Sequence, residues 1–261
     1  MNQDIRRTAL YIFRNTPVQP VIITAINISL VLLLIEVAEH LINGQYVPVM
    51  LLRMLAIVMV DILADCFALR SWMLGKCRFE YITQPFANKK ARKKFIPLSV
   101  AVTIMYILLA IPVIIFLLVL VLGVLATVTA AGFDFDKLFM FAPVYVLLAS
   151  VTMTALTFAV YIFASGVEYS VAGMIKRGFV YLFKNLFGYI WFYLTLNFVP
   201  ALILAVLKMM FSSTISIIIL YIPVLAYMSI ARAGYVYENI LKIEFGKEAA
   251  ISYAREEIIN P

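Results

Sequence analysis

The sequence predicts an all-α membrane protein, a polytopic bundle of about six transmembrane helices with short cytoplasmic amphipathic helices. Three observations point there. Of 261 residues, 65% are hydrophobic and only 13% charged, whereas a soluble domain is about half apolar and about a quarter charged. The mean hydropathy is +1.03. The apolar residues also gather in runs of about 20 or more, the length that crosses ~30 Å of hydrocarbon. A soluble globular domain is excluded because its surface needs more polar groups. Disorder is excluded by the wealth of aliphatic and aromatic residues. A β-barrel would need short alternating segments, and stretches such as Ile111 to Leu125 do not alternate.

The elements follow in chain order. Residues 3–15 read as an interfacial helix, and 18–42 as the first span. The apolar run from Val18 to Ile35 is too long for a signal h-region and lacks a small-x-small cleavage site, so it is expected to stay as an uncleaved helix. Spans follow at 46–69, 96–130, 138–165, 186–207 and 211–231, with a second interfacial helix at 171–185 and a cytoplasmic tail at 233–261. The run at 96–130 would extend to about 52 Å as one helix. It is either a single span kinked at Pro112 or a broken segment.

Lys and Arg bias sets the orientation. Arg6, Arg7 and Arg14 precede span 1. Arg70, Lys76, Arg78 and the KKARKK run at 89–94 lie between spans 2 and 3. Lys176, Arg177 and Lys184 precede span 5, and Arg232, Lys242, Lys247 and Arg255 follow span 6. Together these make 18 of the 21 basic residues on one side. Lys137 and Lys208 fall on the other side and Arg53 lies within a span. Both termini are therefore expected in the cytoplasm, and the chain in the cell (inner) membrane. The +7 net charge reads as topology, not as a nucleic-acid footprint.

Residues 5–15 read IRRTALYIFRN and residues 175–185 read IKRGFVYLFKN, identical at five of eleven positions. In both copies the apolar residues fall on one helical face: Ile5, Ala9, Ile12 and Phe13, then Ile175, Phe179, Leu182 and Phe183. Such helices would lie along the inner interface, their basic groups toward anionic lipid headgroups. At the same offset Asn27 in span 1 matches Asn197 in span 5, and a fainter third copy, KKFIPLSV at 93–100, leads into span 3. The expected unit is an interfacial helix followed by a two-helix hairpin, repeated in parallel.

This pattern, a basic amphipathic helix with (R/K)-N before the first hairpin and again before the last, resembles a broad group of prokaryotic six-helix inner-membrane proteins. The group is related to the membrane domain found beside some glycerophosphoryl diester phosphodiesterases. The specific part of the resemblance is confined to 5–20 and 175–200. Relatives often have Pro-Gly where span 3 ends, whereas this chain has Ile111-Pro112-Val113. The resemblance implies a fold and no activity.

Ionisable residues inside a bilayer are costly and are candidate functional sites. Span 2 carries Arg53, Asp61 and Asp65, and span 1 carries Glu36. Glu36 and Arg53 fall at similar depth across the hairpin turn, where a structural ion pair lowers the desolvation cost of both. Asp61 and Asp65 share one helix face at i, i+4. They either carry protons or hold a cation in a coupled transporter, or are satisfied structurally by neighbours such as Asn27 and Asn197. Arg70 or water is within reach of Asp65. Ser150, Thr154, Thr157 and Tyr161 form a hydroxyl stripe in span 4, which either lines a hydrated path or bonds back to its own backbone.

Cys66 and Cys77 form no C-x-x-C pair, and His40 is the single histidine, so no His/Cys metal cluster can be assembled. Phosphate-loop, dinucleotide and hydrolase signatures are missing. Two carboxylates on adjacent turns of one helix also make a poor aspartyl pair, so neither an enzyme nor a cofactor is expected. Two readings of function stand. One is a small transporter or permease-like component with Asp61, Asn27 and Asn197 near a central polar site. The other is a non-transporting membrane factor acting through helix packing, interfacial helices and lipid contacts. The first requires Asp61 to face a cavity.

Overall fold

The computed structural model describes residues 2–41, 47–87, 92–109, 135–166, 169–211 and 214–245. Within these, the side chains of residue 2 and of 31–41, 47–50, 84–87, 135–146, 214–215 and 244–245 are not described. Pro112 and the tail beyond 245 lie outside the described residues, as do the side chains of Glu36, His40 and Lys137.

Every regular element among the described residues is helical. In order these are α1 (Asn2–Asn15), α2 (Val18–Leu41), α3 (Val47–Leu74), α4 (Glu80–Ala87) and α5 over 92–109. After them come α6 (Phe135–Ala164), α7 (Val171–Met210), α8 (Thr214–Val236), a π-helical turn (Tyr237–Leu241) and α9 (Lys242–Phe245). Three stretches are long and apolar enough to cross a membrane: Leu147–Ala164, Val171–Met210 and Ser216–Leu241. Val18–Leu30 is a shorter apolar helix. α3 has the length, at 28 residues, but carries Arg53, Asp61, Asp65 and Arg70 along it.

The two similar basic segments adopt different structures. Thr16 and Pro17 end α1 and start α2, with the Thr16 hydroxyl donating to the Ile12 carbonyl at 3.2 Å. At the matching place in the second copy stands Phe187, which keeps its backbone N–H. No break occurs there, and 171–185 and the following apolar run form one 40-residue helix, about 60 Å long. The buried faces differ too. α1 buries Ile5, Ala9 and Ile12, whereas α7 buries Met174, Gly178, Tyr181 and Leu182 and exposes Phe183. Tyr11 is 64% exposed and its counterpart Tyr181 only 3%. Ile12 and its counterpart Leu182 are both buried, and Ile175 and Phe179 pack against the core, so the shared sequence produces packing that is shared only in part. Arg177 is likewise turned inward, its guanidinium 4.0 Å over the Tyr169 ring and donating to the Tyr181 hydroxyl at 3.2 Å.

The core gathers at the end of the bundle that carries α1 and the link after α3. Ile62, Phe67 and Leu69 of α3, Phe95 and Leu98 of α5, and Leu156 to Ile162 of α6 meet there with the start of α7 and the end of α8. Small residues let these helices approach. A Cβ added at Gly178 of α7 would collide with the Ala155 carbonyl of α6, and one at Gly234 of α8 would enter the Trp72 ring. An aromatic group joins three helices: Phe158 meets Tyr189 edge-on at 5.1 Å, and Phe192 stacks on Tyr235 at 4.4 Å. Each such pair adds about 1 kcal/mol beyond its buried area. The opposite half of α7 is mostly bare. Phe198, Val199, Leu202, Val206 and Met209 are exposed, as suits side chains whose solvent is lipid.

Candidate functional site

α3 presents Asp61 and Asp65 on successive turns of one face, and each finds a different environment. Asp65 is enclosed, its side chain 13% exposed, and it accepts from Arg232 Nη2 of α8 at 2.7 Å. The fully buried Tyr161 of α6 joins them. Its hydroxyl accepts from Arg232 Nε at 3.1 Å and donates to Asp65 Oδ1 at 3.2 Å. The three side chains close a triangle across α3, α6 and α8, in which the carboxylate and guanidinium cancel each other's charge in a poorly solvated place.

Asp61 has no such cation. The Asn27 amide of α2 donates to its Oδ1 at 3.3 Å, a long bond, and the carboxylate opens onto a cavity of about 500 Å³. The cavity is bounded by α2, α3, α5, α6, α7 and α8. Asn27, Asp61, Asp65, Asn197, Thr157 and Arg232 supply its polar wall, while Tyr106, Tyr193 and Tyr221 bring aromatic rings. Asn197 lines it while donating to the Tyr193 carbonyl of its own helix at 2.7 Å. Asn27 and Asn197 therefore line one cavity from different helices, in different roles.

Arg53 is half-buried two turns before Asp61 and is not part of this wall. Its suggested pairing with Glu36 lies outside the described side chains. In the hydroxyl stripe, Thr154 donates to the Ser150 carbonyl at 2.8 Å and Thr157 to the Met153 carbonyl at 3.1 Å, which satisfies both hydroxyls along their own helix. Ser150, Thr154 and Thr157 of the stripe line a second cavity of about 440 Å³ between α6 and α7. Thr157, Tyr193 and Arg232 border both cavities, so the Arg232 side chain stands between them.

Arg232 and three cavity-lining tyrosines were hidden in the sequence. Arg232 was counted with the basic residues after the last span, yet α8 continues through Val236 and holds it inside. Its charge is met within the bundle by Asp65 and Tyr161, and the helix runs on past it. Its neighbours Ala231, Ala233 and Gly234, all buried, are the small residues of a tight helix contact and were the available signal. Nothing in the spacing of Tyr106, Tyr193 and Tyr221 sets them apart from the other tyrosines of the chain.

Outside the spans, Cys77 carries a buried thiol. The Cys77 N–H donates to the Thr16 hydroxyl at 3.3 Å, and burial raises its thiol above the usual range, against the weaker opposing effect of hydrogen bonds from Thr16 and Ser71. No group of three metal-ligating side chains occurs among the described residues. Comparison of the chain with known protein families, curated proteins and solved structures finds no match.

Proposed function

We propose that the chain is a polytopic protein of the cell (inner) membrane, crossing it six times with both termini cytoplasmic. Its role is that of a small transporter or permease-like component, without catalytic chemistry, whose central polar site is the cavity at Asp61. One observation carries this reading: a carboxylate with an amide as its one hydrogen-bond partner among the described residues opens onto about 500 Å³ between six helices. An ionisable group at such a place is the usual mark of a substrate or ion path. The kinship with six-helix proteins related to the phosphodiesterase membrane domain belongs to the same proposal. Long helices at all six apolar runs support it, counting 92–109 as the described part of the third. The experiment is reconstitution into liposomes with a broad solute panel, comparing the wild type with Asp61→Asn. Flux that disappears in the variant supports the reading. Flux indifferent to the change, or no flux at all, overturns it.

The second reading, a non-transporting factor that works through lipid contacts, is favoured by a separate groove of about 420 Å³ between α1, α7 and α8. Its walls are apolar, with Leu10, Phe13, Val199 and Pro200 among them, and Arg6 is the charged residue in it. Arg6 Nε is buried without a hydrogen-bond partner among the described residues. An anionic lipid would satisfy both halves, its headgroup on Arg6 and an acyl chain along the groove.

A further inference from the structure

The Asp61 cavity has a charge asymmetry that selects among ligands. Asp65 and Arg232 neutralise each other at 2.7 Å, which leaves the Asp61 carboxylate as the uncompensated charge of the described wall. The Asp61 side chain is exposed to the cavity, and a carboxylate without a cation beside it favours an occupant that brings positive charge.

The wall also discriminates between kinds of cation. A bare metal ion of the Na⁺ or Ca²⁺ type needs about six oxygen ligands converging at about 2.4 Å, and about 500 Å³ is far larger than such a cage. The described residues, moreover, hold no cluster of metal-ligating side chains. What the wall offers instead is one carboxylate, aromatic rings at Tyr106, Tyr193 and Tyr221, and apolar surface from Leu196 and Met228. Aromatic faces attract organic cations, and a pocket of this size accommodates one small molecule with an apolar body.

From this we infer that the cavity binds a small protonated organic amine, its ammonium group on Asp61 and its apolar or aromatic body against Tyr106, Tyr193 and Tyr221. The ammonium supplies N–H donors, which the carboxylate lacks, and its charge balances that of Asp61. The inference rests on the cavity being the protein's working site, and it names the substrate class of that site.

The test is equilibrium binding to the purified full chain in detergent micelles, with three probes of similar shape: benzylamine, benzyl alcohol and benzoate. Benzylamine is expected to bind at least ten-fold more tightly than either of the others. Asp61→Asn is expected to lower benzylamine affinity ten-fold or more while leaving benzyl alcohol unchanged. Asp61→Glu, which keeps the charge, should retain the order of the three probes. Equal affinities, a preference for benzoate, or no detectable benzylamine binding by the wild type would overturn the inference without any variant having to fold. Binding needs no transport, so the two ideas fail separately. Amine binding without flux in liposomes keeps this inference and sinks the transport reading. Asp61-dependent flux restricted to neutral or anionic solutes, or to protons, does the reverse.

Discussion

Arg232 donates to Asp65 at 2.7 Å across 167 residues of chain, joining the last long helix to the charged one near its start. Removing one partner leaves the other charge buried and unpaired, which costs about 3 kcal/mol for a pair with some access to a cavity. Asp65→Asn and Arg232→Met are each expected to lower the detergent-solubilised Tm by several degrees. The double variant should recover part of the loss, because neither orphan remains. A double variant as unstable as the sum of the singles would show that the pair has no coupling.

Tyr161 sits at the apex of the same triangle and contributes hydrogen bonds, not charge. Tyr161→Phe removes one acceptor for Arg232 Nε and one donor to Asp65. Its expected cost is about 1–2 kcal/mol, less than that of Asp65→Asn in the same melting experiment. A larger cost for the tyrosine would mean that the ion pair does not hold by itself.

Gly178 and Gly75 separate two ways in which a methyl group can harm a helix bundle. A Cβ at Gly178 meets the α6 backbone at Ala155, and main chain cannot give way as a side-chain tip does. At Gly75, φ is +68° and nothing lies within 4 Å, so Gly75→Ala brings only backbone strain of about 1 kcal/mol. Gly178→Ala is expected to cost at least twice as much, read from Tm or from the yield of folded protein. Equal effects would place α6 and α7 further apart than found.

Arg6 and Arg7 are adjacent but unequal. Arg6 lines the apolar groove and Arg7 is exposed beside it. In nanodiscs of mixed phosphatidylglycerol and phosphatidylcholine, Arg6→Gln should reduce phosphatidylglycerol co-purifying with the protein about two-fold or more, and Arg7→Gln far less. Equal losses would make the attraction a general surface charge effect, with no site.

Cys77 offers a pH readout outside the spans. Its thiol lies above the usual range through burial, so the folded state holds its proton where the unfolded state has lost it. The corresponding stability is complete below the ordinary thiol value and is lost as pH rises toward the folded one. Alkylation by a maleimide at pH 8 should be slow in the folded protein and fast in denaturant. Rapid labelling of folded protein would contradict the burial.

How much of this was legible can be judged residue by residue. Asp61, Asp65, Asn27 and Asn197 stand out because a polar side chain in an apolar run has few reasons to be there, and they lie around one cavity. Arg232 was illegible because the rule that gathers basic residues on the inner side has no means of spotting one that is neutralised by a partner 167 positions away. The helical face of 5–15 could be read from periodicity. The same periodicity reads 175–185 in part: Leu182 is buried and Ile175 and Phe179 pack against the core, while Phe183 is exposed and Met174, Gly178 and Tyr181 widen the buried face toward α6.

The unbroken α7 has a mechanical meaning. Between Val171 and Pro200 it holds no proline, so it behaves as a stiff lever. One arm lies against Tyr169 and α6, and the other carries Tyr193 and Asn197 to the cavity wall. A tilt imposed on the first arm would be carried along the helix toward the cavity. The counterpart α1, hinged at Pro17, has no such reach. Phe187→Pro, at an 87% exposed position, would place the same hinge in the lever. Spin labels at positions 180 and 194 should then move independently, where in the wild type their separation stays fixed.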